Sequence, residues 1–174
     1  KVHVASLIGN VKNGRLIKRL LRKNKANIEN ILYNNNANTT IKTRFLSQGT
    51  QLLRVDNDSH GVRISDTNLL AQKIINDIGN FDYIIISDYN KGVCSGAALE
   101  LILRETKKKN IPVYIDPKGS SWSKYSTSSC ITPNKKEAEE ELQLKINSNT
   151  DFEKAAKAIC ERHKINSCLI TRGE

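Results

Sequence analysis

Between Phe81 and Pro117 the chain reads FDYIIISDY, then SGAALELILRETKKKN, then IPVYIDP. An unbroken apolar run gives way to a helical pattern, and that to a second apolar run. A helix between two strands carries the chain back to its starting edge, so the strands pair in parallel. Strands this apolar are buried on both faces, which requires helices on either side of the sheet. The rhythm continues downstream. SSCITPN (128–134) is a short strand, KKEAEEELQL (135–144) and DFEKAAKAICERHK (151–164) are helices, and INSCLITRG (165–173) is a closing strand. Upstream, VHVASLIG (2–9) and IENILYN (28–34) read as strands around the basic helix RLIKRLLRKN (15–24). SDTNLLAQKIINDIG (65–79) reads as a helix with Ser65 or Asp66 as N-cap and Gly79 as its stop. The fold class is therefore α/β: a three-layer α/β/α sandwich around a mostly parallel sheet.

One segment breaks the rhythm. TTIKTRFLSQGTQLLRVD (39–56) holds two alternating, β-rich arms around Gln48-Gly49-Thr50, a hairpin signal. Its arms are too polar for the core, so it is expected to stand partly off it.

At 174 residues the chain suffices for one compact domain, 1–174. No apolar run approaches the roughly 18 residues of a membrane span, and the start KVHVASLIG lacks a signal-peptide pattern. The chain has no Met, begins inside one strand-like run and stops just after another. An internal piece of a longer protein is expected. Cys94, Cys130, Cys160 and Cys168 form no C-x-x-C pair, and no His stands at metal-ligand spacing. Free thiols in a reducing cytoplasm follow. His3, His60 and His163 read as ordinary surface or boundary residues.

The net charge of +10 is uneven, because residues 1–28 hold eight Lys or Arg and no acid. Such a segment is either a solvated helix face or a lure for phosphate-rich partners. Nucleic acid is disfavoured: aromatics are 5% of the chain, and none lies in 1–25 to stack on bases.

In open α/β sheets, ligands bind beyond the carboxyl ends of the strands. Four such ends are polar: SDYNKG (87–92), DPKG (116–119), TPNKKE (132–137) and TRGE (171–174). Their convergence on one rim is expected to form a site. Asp116 and Lys118 put a carboxylate and a phosphate-neutralising cation at one strand tip. Asn134 and Glu137 have capping-box spacing, and the same helix start can hold an anion and a metal-bound water. Thr171-Arg172-Gly173 ends a strand where a hydroxyl and backbone N–H groups can meet phosphate oxygens. No Walker loop, G-x-G-x-x-G fingerprint or Ser-His-Asp arrangement is evident.

In this order, TTIKTRFLSQGTQLLRVD, FDYIIISDYNKGV, IPVYIDPKG, ITPNKKEAE and LITRGE resemble the ribokinase-like (PfkB) sugar kinases nearly from end to end. Within them the chain is most similar to the kinases of D-glycero-β-D-manno-heptose 7-phosphate. The resemblance implies ATP-dependent, Mg²⁺-assisted phosphorylation of that sugar phosphate at its anomeric hydroxyl to give the 1,7-bisphosphate. That step belongs to ADP-heptose and lipopolysaccharide-core synthesis in the cytoplasm. It implies that 39–56 is a β lid over the sugar, with Lys42, Arg44, Gln51 and Arg54 on the substrate. Asp88 and Lys91 would line the sugar side of the cleft. Asp116, Lys118, Asn134, Thr171, Arg172 and Gly173 would serve the nucleotide phosphates, with Asn134 and Glu137 acting on Mg²⁺ through water. A homodimer through the lid and a fused nucleotidyltransferase domain are further implications.

Two departures qualify the resemblance. The family's sugar-binding Asp and GGAANVA-like segments would precede Lys1, and its G-A-G-D loop, with the general-base Asp, would follow Glu174. The piece alone is therefore expected to be inactive. The family's acidic G-D-D-E-x-G stretch reads Gly9-Asn10-Val11-Lys12-Asn13-Gly14. The alternatives are a non-catalytic sugar- or nucleotide-binding module, or a kinase for another sugar.

Overall fold

The structure is a computed structural model that describes residues 1–35, 38–58 and 61–172. Packing divides the chain into two compact units, Lys1–Leu70 with Lys91–Val93, and Ala71–Asn90 with Cys94–Glu174.

In the first unit, β1 (Ser6–Gly9) and β2 (Ile31–Asn34) pair in parallel across α1 (Lys12–Lys23). Ile8, Ile28 and Ile31 form its core, with Val4 and Leu21 against them. Gly14 lets the helix start on top of the strand end: a Cβ there would lie 2.0 Å from the Gly9 carbonyl oxygen. The basic residues Arg15, Arg19, Arg22 and Lys23 face solvent. The expected hairpin is present as β3 (Ile41–Ser47) and β4 (Thr50–Asn57), antiparallel and exposed along its whole length. Gln48 and Gly49 both have positive φ, 47° and 84°, as a tight primed turn requires.

In the second unit, β5 (Ile84–Ser87), β6 (Val113–Asp116) and β7 (Cys130–Ile131) lie in that order, all parallel. The expected closing strand is present only as two parallel bridges, Ile131 to Cys168 and Asn134 to Thr171. α2 (Ile64–Asp77) contains the boundary between the units, and α3 (Gly96–Lys108), α4 (Lys135–Leu142) and α5 (Asn149–His163) belong to the second. Val113, Ile115 and Ile131 pack with Leu99, Leu103, Ala138, Leu142, Ala155 and Ile159 into one core.

The alternate strand residues differ from expectation. Ile85 is 69% exposed and Leu169 62%, and Tyr114 meets Tyr83 edge-on at 6.4 Å on the open side. Among the described residues of this unit, α3, α4 and α5 pack on the face of Val113, Ile115 and Ile131, not on that of Ile85 and Tyr114. The strand order explains this. It advances in one direction, so successive right-handed crossovers land on the same side. His163 also departs from the surface reading: it is buried, its Nε2 2.9 Å from Glu141 Oε1. His60 lies outside the described residues. The four cysteines are free, and no described helix is long and apolar enough to cross a membrane.

Candidate functional site

Strand alternation sends the two aspartates at the β5 and β6 ends in opposite directions. Asp88 continues the inward series Ile84, Ile86 and is 4% exposed. Asp116 continues the outward series with Tyr114 and stays accessible. Asp88 is tied down at both oxygens. Its Oδ1 accepts the Asn90 backbone N–H at 2.7 Å, and its Oδ2 accepts the Tyr125 hydroxyl at 2.8 Å and Lys124 Nζ at 2.6 Å. The Tyr125 oxygen in turn accepts the Lys118 backbone N–H at 3.2 Å. A single fully buried tyrosine thus joins the end of β5 to the turn after β6. Burial, with the Asp88 charge behind it, pushes the Tyr125 hydroxyl far above its usual range and the Cys94 thiol up to about 12.

The turn Asp116-Pro117-Lys118-Gly119 is held by the segment that follows it. Gly119 has φ of 80°, and Trp122 Nε1 donates to its carbonyl at 2.8 Å. Facing it is the start of α4. Asn134 Oδ1 accepts the Glu137 N–H at 2.9 Å, and Glu137 Oε2 accepts the Asn134 N–H at 3.0 Å, a reciprocal capping box. The Lys135 N–H donates to the Thr171 carbonyl at 3.0 Å, which fixes the closing segment beside the cap. Lys118 Nζ reaches across to Glu137 Oε1 at 2.6 Å. That hydrogen bond holds the Lys118 ammonium above the usual lysine range.

These groups line one open polar cleft of about 350 Å³, formed by Asp88, Tyr89, Asp116, Pro117, Lys118, Thr132, Asn134, Glu137 and Thr171. Six residues singled out in the sequence, Asp88, Asp116, Lys118, Asn134, Glu137 and Thr171, meet there. Arg172 does not: its guanidinium donates to Asn149 Oδ1 at 2.8 Å and lies 4.5 Å over the Phe152 ring on α5. Gly173 lies outside the described residues. Lys91 belongs to the first unit, where it pairs with Asp58. Tyr125 and Lys124 were missed by sequence reading. Their one signal is an aromatic and a cation inside the otherwise small and polar run SKYSTSS.

No group of three His, Cys, Asp or Glu among the described residues could hold a metal by itself. The cleft instead offers the Asp116 and Glu137 carboxylates with the oxygens of Asn134, Thr132 and Thr171. A hard cation such as Mg²⁺ is held in this way, by one or two carboxylates together with substrate phosphates, so the residues fit it.

The hairpin of the first unit has two unlike sides. Register sets Lys42, Arg44, Arg54 and Asp56 on one face and Ile41, Phe45, Leu53 and Val55 on the other. The pairing shifts between Phe45 and Leu46, so Gln51 opposes Leu46. That one-residue irregularity puts Gln51, with Leu46, on the charged face next to the Arg44–Arg54 pair. Arg44 and Arg54 stand directly opposite each other, an unfavourable pair in itself. Asp56 compensates it, accepting from Lys42 at 3.0 Å and from Arg54 at 2.9 Å.

The whole chain, residues 1–174, matches the pfkB family carbohydrate kinase. It is 34% identical over 175 residues to the bifunctional protein HldE of Syntrophotalea carbinolica, covering all of this chain and 36% of that protein. It is 37% identical to the bifunctional protein HldE of Campylobacter fetus subsp. fetus, covering all of this chain and 38% of that one. The chain thus spans little more than a third of the length of these relatives. Among solved structures, Escherichia coli phosphofructokinase-2 in complex with potassium superposes with a TM-score of 0.76 at 16% identity, over 96% of this chain and 54% of that one. Arabidopsis thaliana ribokinase complexed with ribose and ATP gives 0.72 at 15% identity, over 98% and 55%. At such identities the likeness is one of fold, and that fold is ribokinase-like. With the family match end to end, this chain belongs to the pfkB family of carbohydrate kinases.

Proposed function

We propose that the chain is part of a kinase that passes the γ-phosphoryl group of ATP to the anomeric hydroxyl of D-glycero-D-manno-heptose 7-phosphate in the cytoplasm, yielding the 1,7-bisphosphate for ADP-heptose and lipopolysaccharide-core synthesis. The observation that carries this reading is the meeting of Asp116, Lys118, Asn134, Glu137 and Thr171 in one cleft at the strand ends. Phosphoryl transfer makes few covalent demands on a protein; it needs reactants in line and charge neutralised. Lys118 supplies a cation for phosphate oxygens, and the Thr171 hydroxyl a hydrogen bond. Asn134 and Glu137 orient water around Mg²⁺, which when bound neutralises phosphate charge. The Asp88–Tyr125 tie keeps the DPKG turn in place. Lys42, Arg44, Gln51 and Arg54 hold the sugar phosphate, because a dianion relieves the opposed guanidinium pair better than Asp56 alone. The general base is an Asp that follows Glu174 in the parent. The bifunctional relatives support a nucleotidyltransferase joined to this kinase, and the exposed apolar face of the hairpin supports a homodimer through it.

ADP release on heptose 7-phosphate is the test, run on the full gene product and on the 174-residue chain. Turnover is expected from the first and none from the second. A full gene product that binds both ligands without transfer is a binding module, and the kinase reading falls. A full product active only on another sugar removes the heptose assignment. Turnover by the short chain would put the base within it.

A further inference from the structure

Lys118 and Glu137 differ in how firmly they are held. The Glu137 side chain is 12% exposed and is fixed through Oε2 by the cap of α4. The Lys118 side chain is 52% exposed on a solvated stem, while its backbone N–H is held by Tyr125. One partner is an anchored anion and the other a tethered cation. Asp116 and Glu140 add to the negative field around the ammonium. The neighbouring lysines of α4 are drawn elsewhere, Lys135 toward Glu139 at 3.9 Å and Lys136 toward Glu140 at 3.7 Å. Among the described residues, Lys118 is therefore the cation that neutralises Glu137 in the cleft.

A divalent cation that approaches Glu137 meets this ammonium on Oε1. It must accept the repulsion or displace Lys118, and displacement costs little only where the ammonium finds another anion. A nucleotide phosphate is such an anion. We infer that Lys118 and a divalent cation are alternative partners of Glu137. The cleft then holds the free metal weakly and holds it more tightly with the nucleotide, as Lys118 passes from the carboxylate to a phosphate oxygen. This rests on the kinase reading for the nucleotide, but the competition for Glu137 stands apart from it. Because linkage is reciprocal, the same exchange makes the metal strengthen nucleotide binding.

The test is Mn²⁺ binding to the 174-residue chain, followed by electron paramagnetic resonance, without nucleotide and with a non-hydrolysable ATP analogue. Without nucleotide, Lys118→Met is expected to bind Mn²⁺ roughly fivefold more tightly than the parent sequence, the size of a partly exposed ion pair. Lys118→Arg, which keeps the ion pair, is expected to match the parent sequence. Lys118→Met in a Glu137→Gln background is expected to gain nothing. With the analogue present, the advantage of Lys118→Met is expected to vanish or reverse. Equal or weaker Mn²⁺ binding by Lys118→Met, or no Mn²⁺ binding by either protein, overturns the inference. If the metal-only result holds and the analogue does not bind, the competition survives and the nucleotide assignment is what fails.

Discussion

Two strand-end aspartates, identical as letters, have different work because they are one residue out of phase. Asp88 points with Ile84 and Ile86 into the core and is used as an anchor. Asp116 points outward and is left to the cleft. The anchor depends on Tyr125, whose hydroxyl donates to Asp88 and accepts from the Lys118 backbone. Tyr125→Phe keeps the ring in its pocket and removes both hydrogen bonds. It leaves a buried carboxylate with one side-chain partner fewer, which costs about 2 kcal/mol. Urea unfolding is expected to show that loss. Nucleotide affinity is expected to fall as well, since the DPKG turn loses a tether; a variant that is less stable but binds nucleotide unchanged would confine Tyr125 to packing.

At the scale of elements, the hairpin is a device of register. The shift at Phe45/Leu46 gathers Gln51 with the cations, and the opposite face is left apolar and exposed. The two faces make separable predictions. Arg54→Ala removes one of two opposed guanidinium groups from the charged side. Affinity for the sugar phosphate is expected to drop roughly tenfold in calorimetry, as for loss of a charge-assisted hydrogen bond. Leu53→Lys alters only the other side. It is expected to lower the sedimentation mass of the full gene product to that of a monomer while sugar-phosphate affinity is retained. Unchanged mass would remove the hairpin from the dimer contact.

For the molecule as a whole, titration bounds the stable range on both sides. The backbone N–H of Ile146 on Glu139, that of Asn147 on Asp151, and Lys42 and Lys108 on Asp56 and Glu105 hold these carboxyls below their ordinary values of 3.8 or 4.5. A depressed carboxyl stabilises the fold above its ordinary pKa, and that contribution is lost as pH falls through the lower folded value. Burial acts oppositely on Cys94 and Cys168, raised from 9.0 to about 12. Their neutral thiols favour the fold below pH 9.0, and this is lost as pH rises toward 12. Melting temperature is expected to be level between about pH 5 and 9 and to fall on either side. Cys94→Ala with Cys168→Ala is expected to flatten the alkaline fall; an unchanged slope would assign it to other groups.

The alternation of apolar runs and amphipathic helices determined the α/β class, the parallel pairing, the hairpin and the polar strand ends, because side-chain period and turn chemistry are local properties written in consecutive residues. The capping box of Asn134 and Glu137 was equally legible, since it closes within one helical turn. Only the tertiary structure decided that Arg172 turns to Phe152 instead of the cleft, that Lys118 lies on Glu137, and that Tyr125 joins Asp88 to the next strand end. Each of these contacts joins residues between 19 and 37 positions apart. Their partners are chosen by where packing brings chain segments together, and no spacing along the sequence encodes that.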